Sequence, residues 1–460
     1  MHILSLLSCT TERINKKIAS RTKNCILALC WSFIMANSVL RLFLPSDLQY
    51  MVVVLCGTAL LGVMLLLIFD RNACEGCWFR RIPLILTEVI GISFLFNGIY
   101  YRVLAYIAVG IIFSLLLPLL HRGIAAYGVS AFFAAASRGI LISYCVLLAA
   151  SLLCGPALSM SHYTAIFENA NSLGDYLIVA TMALLYLLNN TDRSRKKCVL
   201  YYAMLSSILI FCIFSYSRTA LLAILTEIVG YVAVKIILHI RNKKRTHIGA
   251  VVKKAGVMLL TFLVTACVVY GLFVPVKKQI EQWLPSIQIR AGMDGFYGGS
   301  FKDNIIGAGS YFTKGLDGNK GGNAGEDVFT SGRKGIWMSF AKEIKILGHA
   351  SESREVIEVD RYYKSTNAHN VYLQLGYSAG ILAGIAMILL LVWVAVMLIK
   401  GLIETVQSGN LSDGFLIAAL STVGFIFPSI TSAGYMLFTY LPATMFWLSL
   451  SALDVKKCRQ

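Results

Sequence analysis

Three side chains in this 460-residue chain combine reactive chemistry with telling positions: Arg218, Arg333 and His369. A guanidinium forks onto phosphate oxygens, and an imidazole can take a proton near neutral pH. Together such groups could hold a phosphorylated ligand and activate a hydroxyl. Each also has a plainer reading. An arginine at an apolar boundary can snorkel to water, and a lone histidine is often a hydrogen-bonded boundary residue. The three gain weight from where they sit. Residues 275–370 form one long polar stretch, which ends on Ala368, His369 and Asn370 at the lip of the next apolar run. Arg218 lies where two apolar runs meet, in Ser217-Arg218-Thr219-Ala220. Arg333 falls in the polar stretch, where Trp337, Phe340, Ile344 and Leu347 recur at helical spacing. An amphipathic helix over 332–347, capped by Thr330 or Ser331, would put Arg333 in its first turn.

The elements that position these groups must lie in a membrane. The chain is 57% hydrophobic and 14% charged with mean hydropathy +0.72, whereas soluble domains carry about 25% charged residues. Apolar runs of about 20 residues recur along it, and period-two alternation is absent, which excludes a barrel. The expected fold is all-α, a polytopic bundle of about twelve transmembrane helices. Its spans fall near 25–44, 48–69, 82–99, 102–120, 138–157, 173–189, 198–215, 219–238, 255–274, 371–399, 414–430 and 434–452. Residues 122–137 look too weak to span and read as an interfacial or re-entrant piece. Nine helices thus occupy 1–274, a large extracytoplasmic loop 275–370, and three helices 371–460.

Net charge is +18, but the Lys and Arg residues cluster in short loops, as the positive-inside rule predicts, so nucleic acid is not the expected partner. The clusters place both termini in the cytoplasm and 275–370 outside. The first residues, ending in Leu6-Leu7-Ser8-Cys9, are too short and lack the basic start of a signal peptide. Cys74 and Cys77 form a lone CxxC, read as an ordinary reduced loop. The glycine-crowded 290–325 region holds no P-loop. Glu88 and Glu227 fall inside spans, where a buried pair or an interhelical hydrogen bond is expected. Gly376, Gly380 and Gly384 recur every four residues and suggest one smooth helix face. No DxD metal motif occurs in the outer stretch, so no metal and no cofactor are expected.

Three short motifs resemble the O-antigen ligase and O-antigen polymerase family of bacterial envelope glycosyltransferases. Phe167-Glu-Asn-Ala-Asn171-Ser-Leu-Gly174 looks like that family's Phe-x-Asn-Pro-Asn segment, with Ala170 in place of the proline. Ser217-Arg218-Thr219-Ala220 is the second. The third runs from Ser331-Gly332-Arg333 through Trp337 to His369-Asn370 and Leu373. They lie within 160–385, and Ser378 stands where many relatives carry an acid. The resemblance implies a metal-independent glycosyltransferase in the bacterial inner membrane, serving surface polysaccharide synthesis. It implies a polyprenyl-diphosphate-linked glycan donor and a glycan or lipid-linked acceptor, among membrane lipids. It implies that Arg218 and Arg333 bind the diphosphate and His369 assists the acceptor. Asn171 and Asn370, the asparagines of these motifs, join them as substrate-binding candidates. A flippase or transporter for the same lipid-linked sugars is the competing expectation. It would want charged residues at mid-membrane and two related halves.

Overall fold

The computed structural model describes residues 11, 18–40, 46–68, 78–79, 81–153, 165, 167, 170–190, 195–215, 217–242, 256, 259–268, 271–272, 275–276, 279, 333–350, 357–360, 363–365, 367–437 and 440–456. The expectations for Cys74, Cys77, the caps at Thr330 and Ser331, and the 290–325 region lie outside them, as do Glu168 and Asn169 of the first motif.

In chain order the helices are α1 (Ser20–Leu40), α2 (Ser46–Ile68), α3 (Arg81–Tyr100), α4 (Leu104–Tyr127, with a π turn at Ile112–Leu116), α5 (Val129–Leu153), α6 (Ala170–Asn190), α7 (Arg195–Ser215), α8 (Arg218–Asn242) and α9 (Leu259–Val268). After the polar stretch come α10 (Arg333–Lys342), α11 (Val371–Ala379), α12 (Ile381–Ser408), α13 (Asp413–Thr431) and α14 (Leu441–Asp454). Two small antiparallel ladders join them. Strand β1 (Trp78–Phe79) pairs with β4 (Val455–Lys456), and β2 (Ile357–Asp360) pairs with β3 (Tyr363–Ser365). The body is helical, as the composition demands. Among the described residues eight helices are long and apolar enough to cross a membrane, with shorter apolar helices at Leu55–Ile68, Leu259–Val268 and Leu441–Leu453.

Helix α6 is the axis of the bundle. It packs on α5, α7, α8, α13 and α14, and Leu173, Leu177, Ala180, Leu184 and their neighbours are buried. A helix apolar all round belongs inside such a bundle. Its first turn is where the motifs meet. A Cβ on Gly174 would lie 2.7 Å from Ala220 Cβ and 2.8 Å from Ser217 Oγ, so glycine lets the Asn171 turn press on the start of α8.

Several boundaries differ from those read off the sequence. Residues 122–137 are no separate piece: they finish α4 and begin α5, divided by Gly128 at φ 100°. That Ala-rich run is modest in hydropathy, yet alanine is the strongest helix former and close packing supplies the rest. A Cβ on Gly139 would collide with Ala28 O, and Trp31 meets Phe132 edge-on across the α1–α5 contact. The amphipathic helix stops at Lys342 instead of 347. Ile344 then packs over Gly376, while the backbone turns through Gly348 at φ 76°. The expected span 371–399 is two helices, because Gly380 breaks it at φ 102°. The glycine face is therefore a bend: Gly376 and Gly384 close against each other across it, 3.2 Å from a Cβ built on Gly384 to Gly376 Cα. The last span begins only at Leu441, since Tyr440 lies over Gly434 in the non-helical lead-in. Glu227 is buried on α8 against Gly424, and among the described residues neither of its oxygens has a hydrogen-bond partner, contrary to the expected interhelical bond.

Residues 344–349 form a strap across the Gly380 bend. Ile381 N–H donates to Lys345 O at 3.1 Å, and Asn97 Nδ2 reaches Leu347 O at 2.6 Å, His349 O at 3.3 Å and Ser378 O at 2.6 Å. The His349 ring stacks on Tyr377 at 4.1 Å. Gly380→Ala puts a methyl 2.0 Å from Ile346 O in a conformation that only glycine adopts readily. Such backbone strain alone costs about 1–3 kcal/mol. The variant should melt several degrees below the wild type in detergent, whereas an unchanged melting temperature would show that the bend accepts a side chain.

Candidate functional site

The third motif is held by its own side chains. Asn370 caps α11, its Oδ1 accepting from Tyr372 N–H at 3.0 Å and Leu373 N–H at 3.2 Å. Asn367 Oδ1 accepts from His369 N–H at 3.1 Å, and Gln374 Oε1 accepts from Ala368 N–H at 2.9 Å. His369 itself is left-handed at φ 45°, a conformation uncommon for a side chain with a Cβ and enriched at functional positions. Three amide side chains thus hold one imidazole in an unusual backbone geometry.

Helix α10 brings Arg333 to the same place. Ile336 and Phe340 form a small buried cluster with Ala368 and Tyr377, and the Phe340 ring meets Tyr377 edge-on at 4.9 Å. Arg333, the first residue of α10, is then close enough to act on His369 electrostatically. Burial first, and the Arg333 charge second, hold the His369 pKa below the ordinary imidazole value. A neutral imidazole can accept a proton; a histidinium cannot.

Arg333 and His369 line one cavity of about 310 Å³, together with Asn171, Ser217 and Thr219. That volume is near the lower end of small-molecule sites, about 300–1,000 Å³. Arg218 lies between two lining residues at the start of α8, half-buried, but is not itself part of the wall. Asn370 is buried and outside the lining; its side-chain oxygen serves the helix cap. The three motifs thus converge, with Asn171, Arg333 and His369 on the wall and Arg218 and Asn370 behind it.

Sequence reasoning missed the rest of the wall. Asp175 lies one turn beyond Asn171, and its Oδ1 accepts from the Tyr440 hydroxyl at 3.0 Å. Pro428, Thr431 and Ser432 come from the end of α13, and Thr219 Oγ1 lies 3.1 Å from Thr431 Oγ1. An acid early in an apolar helix was a legible signal for Asp175. Tyr440 offered none, because only the non-helical lead-in to α14 turns it towards α6. Among the described residues no three His, Cys, Asp or Glu side chains gather as a metal-binding group.

A search of curated proteins finds no match. Residues 201–388 match the family described as O-Antigen ligase. The matched segment runs from within α7 into α12 and includes Arg218, Arg333, His369 and Asn370, while Asn171 and Asp175 precede it. Over this segment, less than half of its length, the chain is similar to the O-antigen ligase family.

Proposed function

We propose that the protein is a membrane glycosyltransferase of the O-antigen ligase or polymerase type, taking a glycan from a polyprenyl diphosphate to a hydroxyl acceptor. One observation carries the reading: the Arg333 guanidinium and the His369 imidazole line the same cavity, inside the segment that matches the family. Arg333 neutralises the diphosphate, with Arg218 adding positive charge from behind the wall. His369 takes the proton of the attacking hydroxyl, the new glycosidic bond forms at the sugar's anomeric carbon, and the bond from that carbon to the diphosphate oxygen breaks. The electron pair departs on the diphosphate, where the arginine charge is greatest. Asn171, exposed at the cavity edge, is placed to bind the donor. The positive clusters argue for cytoplasmic termini and for chemistry on the outer side of the inner membrane.

The sugar–diphosphate bond is already activated, so neither nucleotide nor metal is required. Protein purified in detergent, supplied with lipid-linked saccharide extracted from cells lacking the gene, should transfer glycan with excess chelator and without ATP. Activity lost in chelator and restored by a divalent ion would replace the arginine mechanism with a metal-assisted one. Asp175, Glu168 and Glu358 would then be its first ligands to test. Movement of the donor across vesicles without bond formation would favour a flippase.

A further inference from the structure

The cavity has two chemically different walls. Arg333 and His369 come from the segment after residue 332, and they suit an anion and a proton transfer. The opposite chemistry comes from the bundle: the Asp175 carboxylate, and the hydroxyls of Tyr440, Thr219, Thr431 and Ser432. The proposed reading gives the first wall its ligand and leaves the second without one.

We infer that the Asp175–Tyr440 pair binds the acceptor, and that the acceptor is a saccharide whose hydroxyl next to the reacting one donates to Asp175. This rests on the glycan-transfer reading and assigns the acceptor class to the same cavity. The Asp175 carboxyl oxygens accept hydrogen bonds from hydroxyl groups, as Oδ1 does from Tyr440, and the second oxygen leaves room for a further partner. The diphosphate charge is met on the opposite wall by Arg333. A metal ion would want several carboxylate or imidazole ligands together, and among the described residues no group of three or more His, Cys, Asp or Glu side chains gathers. Hydroxyl groups fit, because they can both donate to Asp175 and exchange hydrogen bonds with the threonine and serine hydroxyls beside it.

The pair is built into the fold and is no chance surface contact. Asp175 stands on the central helix, and Tyr440 is 9% exposed. A Cβ on Gly434 would lie 2.4 Å from the Tyr440 ring, so glycine there makes room for the ring that delivers the hydroxyl to α6. The cavity is small enough to hold the reacting ends, with lipid and polymer left outside. A saccharide that presents two neighbouring hydroxyls meets His369 with one and Asp175 with the other. A serine or tyrosine side chain on a protein acceptor offers one hydroxyl and cannot satisfy both.

The test uses the full-length protein in detergent. The donor is lipid-linked saccharide extracted from cells lacking the gene. The acceptors are p-nitrophenyl glycosides of glucose, galactose and N-acetylglucosamine, their single-deoxy analogues, and a serine-containing peptide. Asp175→Asn should raise the acceptor KM roughly ten- to a hundredfold, the range for a lost hydrogen bond to a charged group. Donor binding should stay within about twofold of the wild type. Asp175→Glu should recover part of the loss, and Tyr440→Phe, which keeps the carboxylate, should raise acceptor KM by a smaller factor. The wild type should lose affinity for the one deoxy analogue that lacks the neighbouring hydroxyl, and Asp175→Asn should not distinguish that analogue from its parent. A purely structural role for Asp175 would not produce that coupling. An unchanged acceptor KM in Asp175→Asn, a loss of donor binding instead, or a serine peptide that competes equally with the sugars would overturn the assignment. Wild-type protein that transfers to none of these acceptors, while consuming no donor, would overturn the glycan-transfer reading itself and this assignment with it.

Discussion

Replacing His369 by alanine should lower glycan transfer by about 10²–10⁴-fold, the usual worth of a positioned general base, with donor binding nearly intact. The separation of effects follows from its proposed partner, the acceptor hydroxyl. A pH profile adds a sharper test. Burial and the Arg333 charge hold the His369 pKa down, so its neutral, proton-accepting form persists to lower pH than for a free histidine. Activity measured as kcat/KM should therefore fall on the acid side only below the ordinary imidazole value of 6.5, as the pH drops through the lowered pKa. Arg333→Ala removes one of the two causes and should move that acid limb upward; Arg333→Lys retains the charge and should leave it in place. An acid limb that ignores Arg333 would separate the two residues and end the assignment of His369 as the base.

Arg333 itself should give the second largest effect. Charge-assisted hydrogen bonds contribute about 1.5–3 kcal/mol each, and a lysine cannot reproduce the two-pronged fit to phosphate oxygens. Arg333→Lys should lose roughly ten- to a hundredfold in turnover, and Arg333→Ala more, with weakened donor binding in both. Arg218 stands behind the wall, so Arg218→Lys should cost less than the same change at 333. Full donor affinity in Arg333→Ala, measured on protein that still inserts and melts normally, would move the diphosphate away from this arginine.

The legible parts of this chain were those governed by composition and by local rules. Apolar runs gave the helices, and short motifs gave Asn171, Arg333 and His369, which one cavity unites. What escaped were features decided by distant contacts. The bend at Gly380 depends on the Ile346 carbonyl lying where a methyl would go, and no window around residue 380 contains that information. The early end of α10 has the same origin, because Lys345 O bonds to Ile381 N–H instead of continuing a helix. Helix α5 began nine residues before its expected start because packing on α1 compensates for modest hydropathy. Tyr440 joined the cavity through Gly434, a partner visible only once the lead-in to α14 was folded. Asn370 was recognised by its motif, yet its side-chain oxygen caps the helix that follows His369.

Asn97 has a consequence for engineering. Its single carboxamide holds carbonyls of Leu347, His349 and Ser378, residues some 250 to 281 positions further along the chain. The segment that carries Arg333 and His369 is therefore not a portable cassette. Moving residues 333–379 into a relative should give a stable chimera only when an asparagine on the recipient's third helix travels with the graft. Chimeras that omit it would inherit Arg333 and His369 without the tie that holds the strap between them.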